Sequence, residues 1–397
     1  MKPALRVLLA PALIIALLLS AGLGNAGQTS LRGTGDLGIV IERASGSVLV
    51  IDASAHKTIF RIEGLGDLSH ASAVFSRDER YAFVFGRDGG LTKVDILTGT
   101  IAKRIMQAGN SIGGAISDDG KLVAVANYEP GGVTVFDAET LELVAEVAAT
   151  WSGGRSKVVG LEDAPGRRFA FSLWDAGETW VADFSTGHAP KITKLANIGK
   201  MPYDALVTGS GRHYIAGLYG EDGLTVIDLW QSPLVPRRIL NGYGRGEEKL
   251  PVYKMPHLEG WALAGDRFVL PAVGRHEVLW VDARSFEEVG RTKVHGQPVF
   301  AVARPDGRHV WVNFAHPLND TIQVIDTLSG TVVREWKAGP AILHIEFSPR
   351  GNEVFVSVRD ANAVHVYDAG TFEKKAEIAA QNPSGIFLAA RAHKTGL

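Results

Sequence analysis

The sequence predicts an all-β fold, an eight-bladed β-propeller closed by pairing of its N- and C-terminal strands. Three observations support this prediction: a strand ending in Asp recurs eight times, turn-forming residues separate short apolar strands throughout, and the two ends of the chain together complete one blade. No sustained helical period and no low-complexity linker interrupts the repeat. A single propeller domain is therefore expected over residues 27–397.

The repeated strand is short, apolar and closed by Asp, as in SVLVID, GVTVFD and TIQVID. Repeats of about 40 residues indicate a propeller, in which each repeat is one four-stranded blade. We expect the aspartates to be structural, because Asp after a strand bonds the backbone of the next turn. They lie 42–54 residues apart, at Asp52, Asp95, Asp137, Asp183, Asp228, Asp282, Asp326 and Asp368.

The other strands of each blade come from the flanking segments. A strand such as VWVNF begins after a turn rich in Gly, Asp and Arg, a short apolar strand such as AILHIEF precedes that turn, and an outer strand follows the Asp turn. The first blade has only GIVIER, SVLVID and TIFRI, so its innermost strand is missing. We expect GIFLAAR near the C-terminus to supply it, which closes the ring and removes an open sheet edge.

The first 26 residues are typical of an export signal. Lys2 and Arg6 precede a long apolar run, and small residues follow up to Ala26. Cleavage after Ala26 would release the mature chain into the periplasm. The alternative is an uncleaved anchor, since residues 8–23 could nearly span a bilayer, but Pro11 and the small residues before Ala26 favour cleavage.

Composition excludes several classes of site. The chain has 41 basic and 43 acidic side chains and no Cys. Without Cys it has no disulfide, no thiolate metal site and no covalently attached c-type haem. The nearly balanced charge gives no positive field for nucleic acid. The GxSxG, HExxH, P-loop and Rossmann motifs are absent from the mature region. A haem iron needs only one axial imidazole, which the chain can provide.

Candidate functional residues concentrate on one face of the predicted ring. In an antiparallel blade, one face carries two kinds of connection: those that enter the innermost strand and those that join the second strand to the third. We call this the first face. These connections are long and varied, so we expect them to bind a ligand. The imidazole, cationic and polar groups on them include His70, His257, His276, His295, His316, His344, Arg43, Arg87, Arg275, Arg359, Tyr203 and Asp204.

Such a ring of imidazoles and guanidiniums suits a ligand with several carboxylates, since Arg binds carboxylates bidentately. The alternative for any single His is a solvated surface residue. For Arg87 and Arg359, each followed by Asp, the alternative is a local ion pair within the turn.

Four segments carry a family resemblance. SHASAVFSRDERYAFVFGRDGGLTKVDILTG, at residues 69–99, is similar to the start of the haem d1-binding propeller of cytochrome cd1 nitrite reductases. Together with KMPHLEGWA at 254–262, PSGIF at 383–387 and ARAHKTGL at 390–397, it more closely resembles the NirF-type haem d1 biosynthesis proteins. The resemblance extends over residues 33–397.

The resemblance implies a late step of haem d1 biosynthesis in the periplasm, with haem d1 or its dihydro precursor as the ligand. It implies that His70 is the axial ligand of the haem iron, that Arg87 is the arginine of the GRD motif, and that His257 lies where the reductases have a distal His. Other haem d1 biosynthesis proteins and cytochrome cd1 nitrite reductase are the implied partners. The sequence leaves the oligomeric state open, with a homodimer as the candidate. Lacking a c-type haem domain, the chain is not expected to reduce nitrite by itself.

Three roles stay open at this point. The chain could modify side chains of the bound precursor, as an oxidoreductase or a side-chain lyase. It could instead carry the precursor to a partner enzyme, or serve as a structural propeller without a tetrapyrrole. The residues assigned to ligand binding are His70, Arg87, Arg275, Arg359, Tyr203 and His344, and those assigned to moving protons are His257, His276 and Asp204.

Overall fold

Eight four-stranded antiparallel sheets follow one another along the chain and confirm the predicted propeller. The computed structural model describes residues 33–243, 261–272 and 274–393. The predicted signal at residues 1–26 lies outside these ranges, as does His257. Among the described residues, no helix combines the length and apolar character needed to cross a membrane.

The strands of every blade run in order from the innermost at the axis to the outermost at the rim. Blade 1 consists of β34 (Pro383–Leu388), β1 (Leu37–Glu42), β2 (Ser47–Asp52) and β3 (Lys57–Ile62), and blade 2 of β4 (Ser72–Phe75), β5 (Tyr81–Phe85), β6 (Gly90–Asp95) and β7 (Thr100–Met106). Blade 3 consists of β8 (Asn110–Ile116), β9 (Leu122–Glu129), β10 (Gly132–Asp137) and β11 (Leu143–Val147), and blade 4 of β14 (Val158–Ala164), β15 (Arg168–Leu173), β16 (Glu178–Asp183) and β17 (Lys191–Leu195). Blade 5 consists of β18 (Pro202–Val207), β19 (His213–Leu218), β20 (Leu224–Asp228) and β21 (Pro236–Ile239), and blade 6 of β22 (Ala262–Ala264), β23 (Arg267–Ala272), β24 (Glu277–Asp282) and β25 (Glu288–Lys293). Blade 7 consists of β26 (Pro298–Ala303), β27 (His309–Phe314), β28 (Thr321–Asp326) and β29 (Thr331–Lys337), and blade 8 of β30 (Ile342–Phe347), β31 (Glu353–Val358), β32 (Ala363–Asp368) and β33 (Lys374–Ala379).

A short two-stranded ribbon, which the sequence did not predict, lies between blades 3 and 4. It consists of β12 (Thr150–Trp151) and β13 (Gly154–Arg155). Arg155 ties the ribbon to blade 3 by an ion pair with Glu146, with Nη2 and Oε1 2.8 Å apart.

The eight repeated aspartates all end the third strand of their blade, and all have the structural role expected of them. At Asp326, Oδ1 accepts the backbone N–H groups of Leu328 at 3.0 Å and Ser329 at 2.9 Å. The same type of bond to a residue two or three positions ahead recurs at the other seven aspartates. Each Asp thus fixes the turn that starts the outermost strand.

Burial follows the position of a strand within its blade. The second and third strands are mostly buried along their whole length because the neighbouring blades cover both of their faces, whereas outermost strands such as β29 alternate toward solvent. The core accordingly lies between blades. Val40 and Ile51 of blade 1, for example, share one cluster with Phe355 and Val366 of blade 8.

The C-terminal strand closes the ring as predicted. β34 pairs antiparallel with β1, with Gly38 opposite Leu388 and Val40 opposite Ile386. A Cβ atom at position 38 would lie 2.5 Å from the Leu388 side chain and 2.8 Å from the carbonyl oxygen of Phe387, so this register requires glycine there. The ends of the chain therefore make the eighth junction of the ring.

Candidate functional site

A cavity of about 1240 Å³ runs along the axis of the ring, and we call it the channel cavity. Its wall is built mainly from the innermost strands, which all run from the first face to the opposite face. Residues from both ends of these strands line it: Tyr203 lies near the start of β18 and Thr208 just after its end. The volume exceeds the 300–1,000 Å³ that is usual for small-molecule pockets. A ligand of macrocycle size is accommodated.

Two guanidiniums meet beside His70 on the first face. Arg43 comes from the β1–β2 turn, Arg359 from the 3₁₀ turn Arg359–Ala361 between β31 and β32, and His70 from the β3–β4 connection, and all three line the cavity. Arg43 donates to the backbone carbonyl of Ser69 through Nη2. Burial, together with the nearby charge of Arg359, lowers the pKa of Arg43. Neighbouring like charges on the cavity wall favour an anionic ligand, although Asp67 near Arg43 offsets part of the positive charge.

The two Arg-Asp turns behave differently. Arg359 forms the local pair that the sequence allowed, with Nε 2.7 Å from Oδ1 of Asp360, although its side chain still lines the cavity. Asp88 instead pairs with Arg104 of the outermost strand, at 2.8 Å. Arg87 packs over the ring of Tyr128, with its guanidinium carbon 5.2 Å from the centroid. Arg87 does not line the cavity, and Tyr128 connects it to the lining residue Tyr203, to which Tyr128 is hydrogen-bonded.

The wall at blades 4 and 5 is acidic and phenolic. Tyr203 is 7% exposed, and its hydroxyl is hydrogen-bonded to that of Tyr128. Burial and the nearby Tyr128 and Asp204 raise the pKa of Tyr203 well above its usual range, so both phenols stay protonated. Asp204 follows Tyr203 on the same strand, and its Oδ1 accepts the N–H of Ala205 at 3.0 Å.

Glu162 is a second carboxylate on this wall, and sequence reasoning missed it. It lies in β14, the innermost strand of blade 4, and is only 6% exposed. Burial raises the pKa of Tyr214, and the charges of Glu162 and Asp204 raise it further. The signal was present in the LED sequence, where acidic residues interrupt an apolar innermost strand.

His344 lies in β30 between two aromatic rings of the wall. The Phe300 and Phe387 centroids are 5.7 and 5.6 Å from that of the imidazole. Burial, and secondarily Arg391, lower the pKa of His344 to about 3. The backbone N–H of Ile386 donates to Nδ1 at 3.0 Å.

This bond fixes the tautomer of His344. A neutral imidazole has one donor and one acceptor nitrogen, so an occupied acceptor at Nδ1 leaves the proton on Nε2. A protonated Nε2 donates a hydrogen bond and has no lone pair for a metal. His344 is therefore placed to bind a polar group of a ligand. His70 and His316 also line the cavity, and the assignment of His70 to the iron stays the prediction that the resemblance implies.

Two of the predicted site residues lie outside the cavity lining. Arg275 and His276 lie in the β23–β24 turn on the first face, as expected, but neither lines the cavity. Arg275 is exposed and lies near Glu288 of the outermost strand. The hydrogen bond with Arg291 is the main reason that the pKa of Glu288 is lowered, and the charge of Arg275 contributes to the same shift. The carbonyl of His276 accepts the N–H of Val294 at 3.0 Å.

The structure thus gathers His70, Arg359, Tyr203, Asp204 and His344 around one cavity, with Arg87 behind its wall. Within the described part of the chain, no three His, Asp or Glu side chains are grouped as ligands for a bare metal ion. Among the described residues, the lining of the cavity includes the imidazoles of His70, His316 and His344, guanidiniums that can bind carboxylates, aromatic side chains and an acidic wall.

Comparison with known proteins identifies the class of this propeller. The family model for the cytochrome D1 heme domain matches residues 32–392, so the chain belongs to the cytochrome d1 haem domain family. Proteins named NirF from Stutzerimonas stutzeri and Pseudomonas aeruginosa are each 57% identical to it, over 96% of this chain and 98% of theirs. The predicted resemblance to NirF-type proteins is confirmed.

More distant relatives share the same architecture. A dihydro-heme d1 dehydrogenase from Pseudomonas aeruginosa is 26% identical over 88% of this chain and 70% of its own length. The solved structure of the dihydro-heme d1 dehydrogenase NirN in complex with DHE has a TM-score of 0.79 at 24% identity, covering 92% of this chain and 78% of that one. This second similarity supports the fold.

Proposed function

We propose that this protein binds a haem d1 precursor of the dihydro type in the channel cavity, acts in a late step of haem d1 biosynthesis, and modifies side chains of the bound macrocycle. The observation that carries the proposal is the pair of guanidiniums beside His70 at one end of a macrocycle-sized cavity. The names of its relatives support the ligand, since they include NirF and a dihydro-heme d1 dehydrogenase.

The side chains of the cavity fit a carboxylated iron tetrapyrrole. His70 would be the axial ligand, Arg43 and Arg359 would hold carboxylates, and the rings of Phe300 and Phe387 would contact the macrocycle. The bound tetrapyrrole supplies the redox-active iron and the conjugated ring, and the protein supplies orientation and the electrostatic environment.

Proton handling falls to the residues on the rest of the wall. Asp204 and Glu162 are the carboxylates that line the cavity at blades 4 and 5. His344 stays neutral because its pKa is lowered to about 3, and it donates through Nε2. The carboxylates on one side of the cavity can accept a proton from a side chain of the ligand, and the fixed donors on another side can orient that side chain.

An absorbance titration tests the binding part of the proposal. Wild-type protein should bind dihydro-haem d1 with a change in the haem bands. His70→Ala should bind more weakly and with different bands, because the axial imidazole is lost. His188→Ala, at an exposed position outside the cavity, is the matched control and should behave like wild type. Identical bands for His70→Ala and wild type would remove His70 from the iron.

A second experiment separates an enzyme from a carrier. Asp204→Asn and Glu162→Gln should bind the precursor as wild type does, yet fail to restore haem d1 in a strain lacking this protein, and mass spectrometry should find the precursor unmodified. If activity in the cell instead falls only in proportion to binding, across these variants and Arg359→Gln, the protein carries the precursor to a partner enzyme and modifies nothing. The haem d1 biosynthesis proteins and cytochrome cd1 nitrite reductase are the proposed partners.

The periplasm is the proposed location. It rests on the apolar run and the small residues before Ala26. N-terminal sequencing of the exported protein should start at Gly27. A first residue of Met1 in the membrane fraction would indicate an anchor instead.

A further inference from the structure

The C-terminal turn brings a third guanidinium to the channel cavity, at the end away from Arg43 and Arg359. The 3₁₀ turn Ala389–His393 follows β34, which ends on the opposite face of the ring. Arg391 of this turn lines the cavity together with Glu346, near the end of β30. Arg43 and Arg359 belong to first-face turns, so cationic side chains lie at both ends of the cavity.

The contacts that Arg391 makes with the described residues leave donors for an anion. Nη1 is 3.4 Å from Oε2 of Glu346, longer than the 2.7–2.9 Å of a strong charge-assisted bond. That contact involves one of the five N–H donors of a guanidinium. The side chain is 26% exposed, and its guanidinium carbon is 5.9 Å from the Phe387 ring centroid. Phe387 is itself part of the cavity wall, so the guanidinium is held at the surface that a macrocycle would contact.

We propose that Arg391 binds a carboxylate on the edge of the tetrapyrrole opposite to the edge held by Arg43 and Arg359. This inference rests on the proposed function and adds to it a ligand class and an orientation. The ligand is a tetrapyrrole with carboxylates on opposite edges, and it stands along the axis of the ring with one carboxylated edge at each end. Glu346 competes with the ligand for Arg391, because a carboxylate of the ligand replaces a carboxylate of the protein.

The competing explanation is a purely structural ion pair. In that case Arg391 and Glu346 only fasten the C-terminal turn to β30, and either substitution weakens the turn to a similar degree. The two explanations differ in the sign of one effect. If Glu346 competes with the ligand, Glu346→Gln strengthens binding, whereas if the pair is structural, Glu346→Gln weakens it.

Two iron porphyrins probe the orientation. Iron(III) coproporphyrin has one propionate on each pyrrole ring and therefore carries propionates on opposite edges, whereas iron(III) mesoporphyrin IX has propionates on one edge only. Arg391→Gln should weaken coproporphyrin binding about tenfold, the lower end of what a charge-assisted hydrogen bond contributes, and leave mesoporphyrin binding within about twofold. Arg391→Lys should recover part of the loss, and Glu346→Gln should tighten coproporphyrin binding about two- to fivefold.

Controls and outcomes separate the inference from the proposed function. Arg284→Gln, at an exposed position on the opposite face, should match wild type, and urea unfolding of each variant checks the fold. If wild type binds neither porphyrin nor dihydro-haem d1, the proposed function fails. If wild type binds but Arg391→Gln has no effect on coproporphyrin, or Glu346→Gln weakens both porphyrins as Arg391→Gln does, the inference is overturned. An equal loss for mesoporphyrin would overturn the orientation along the axis.

Discussion

Replacing His344 by Gln should change how the stability of the protein depends on pH. The imidazole is buried between Phe300 and Phe387, and its pKa is lowered to about 3, first by burial and then by Arg391. In the unfolded chain a His titrates near pH 6.5. The unfolded state therefore takes up a proton at mild acidity that the folded state does not, so stability is full above pH 6.5 and falls below it.

The size of this effect follows from the two pKa values. A pH of 5 is about 1.5 units below the pKa of His in the unfolded chain, while His344 in the folded protein is still neutral. At 1.36 kcal/mol per unit, His344 alone should reduce the free energy of unfolding by about 2 kcal/mol between pH 8 and pH 5. Gln cannot take up this proton, yet its amide oxygen can still accept the N–H of Ile386.

Urea unfolding of wild type and His344→Gln at pH 8 and pH 5 measures the difference. Wild type should lose about 2 kcal/mol more than the variant over this interval. His188→Gln is the matched control, because an exposed His meets the same solvent before and after unfolding, and its loss should equal that of wild type. Parallel losses in wild type and His344→Gln would refute the neutral, hydrogen-bonded state assigned to His344.

Two further predictions concern the frame that holds the site. Ile386→Ala, in the fully buried centre of the closing strand, should reduce the free energy of unfolding by about 2–5 kcal/mol, against less than about 0.5 kcal/mol for Val333→Ala, which is 49% exposed; equal urea midpoints would contradict the closure. Asp326→Ala should cost about 1 kcal/mol at pH 7. Hydrogen bonds from the Ser329 and Leu328 backbone, and the nearby charge of Arg308, lower the pKa of Asp326. The stability that Asp326 contributes is therefore present above the usual Asp pKa and disappears as the pH falls through the lowered value. A stability difference between wild type and Asp326→Ala that persists in acid would argue against this.

The propeller could be predicted because one local requirement is repeated eight times. Each blade needs an Asp to start the turn into its outermost strand, and that requirement appears in the sequence as a fixed residue at a regular spacing, as Asp52 and Asp368 show. The closing strand was predictable for a related reason. A blade that lacks an inner strand must find one, and only the C-terminal segment was left to supply it.

The site was predictable only to the level of the face. Arg275 and Arg359 occupy equivalent turns between second and third strands, yet Arg359 lines the cavity whereas Arg275 lies near an outer strand. The direction of a turn side chain depends on local contacts, in this case the Arg359–Asp360 pair, which spacing does not encode. Glu162 and Arg391 were missed because the innermost strands and the C-terminal turn were interpreted as core and frame, not as parts of the cavity wall.

The position of β34 couples the closure of the ring to the completion of the cavity. The segment that seals the ring also brings Phe387 and Arg391 to the cavity and supplies the backbone N–H that fixes the proton on His344. Detaching β34 from β1 would therefore open the ring, remove part of the cavity wall and break the hydrogen bond that fixes the His344 tautomer, all at once. Integrity of the ring and integrity of the site are one property of this molecule.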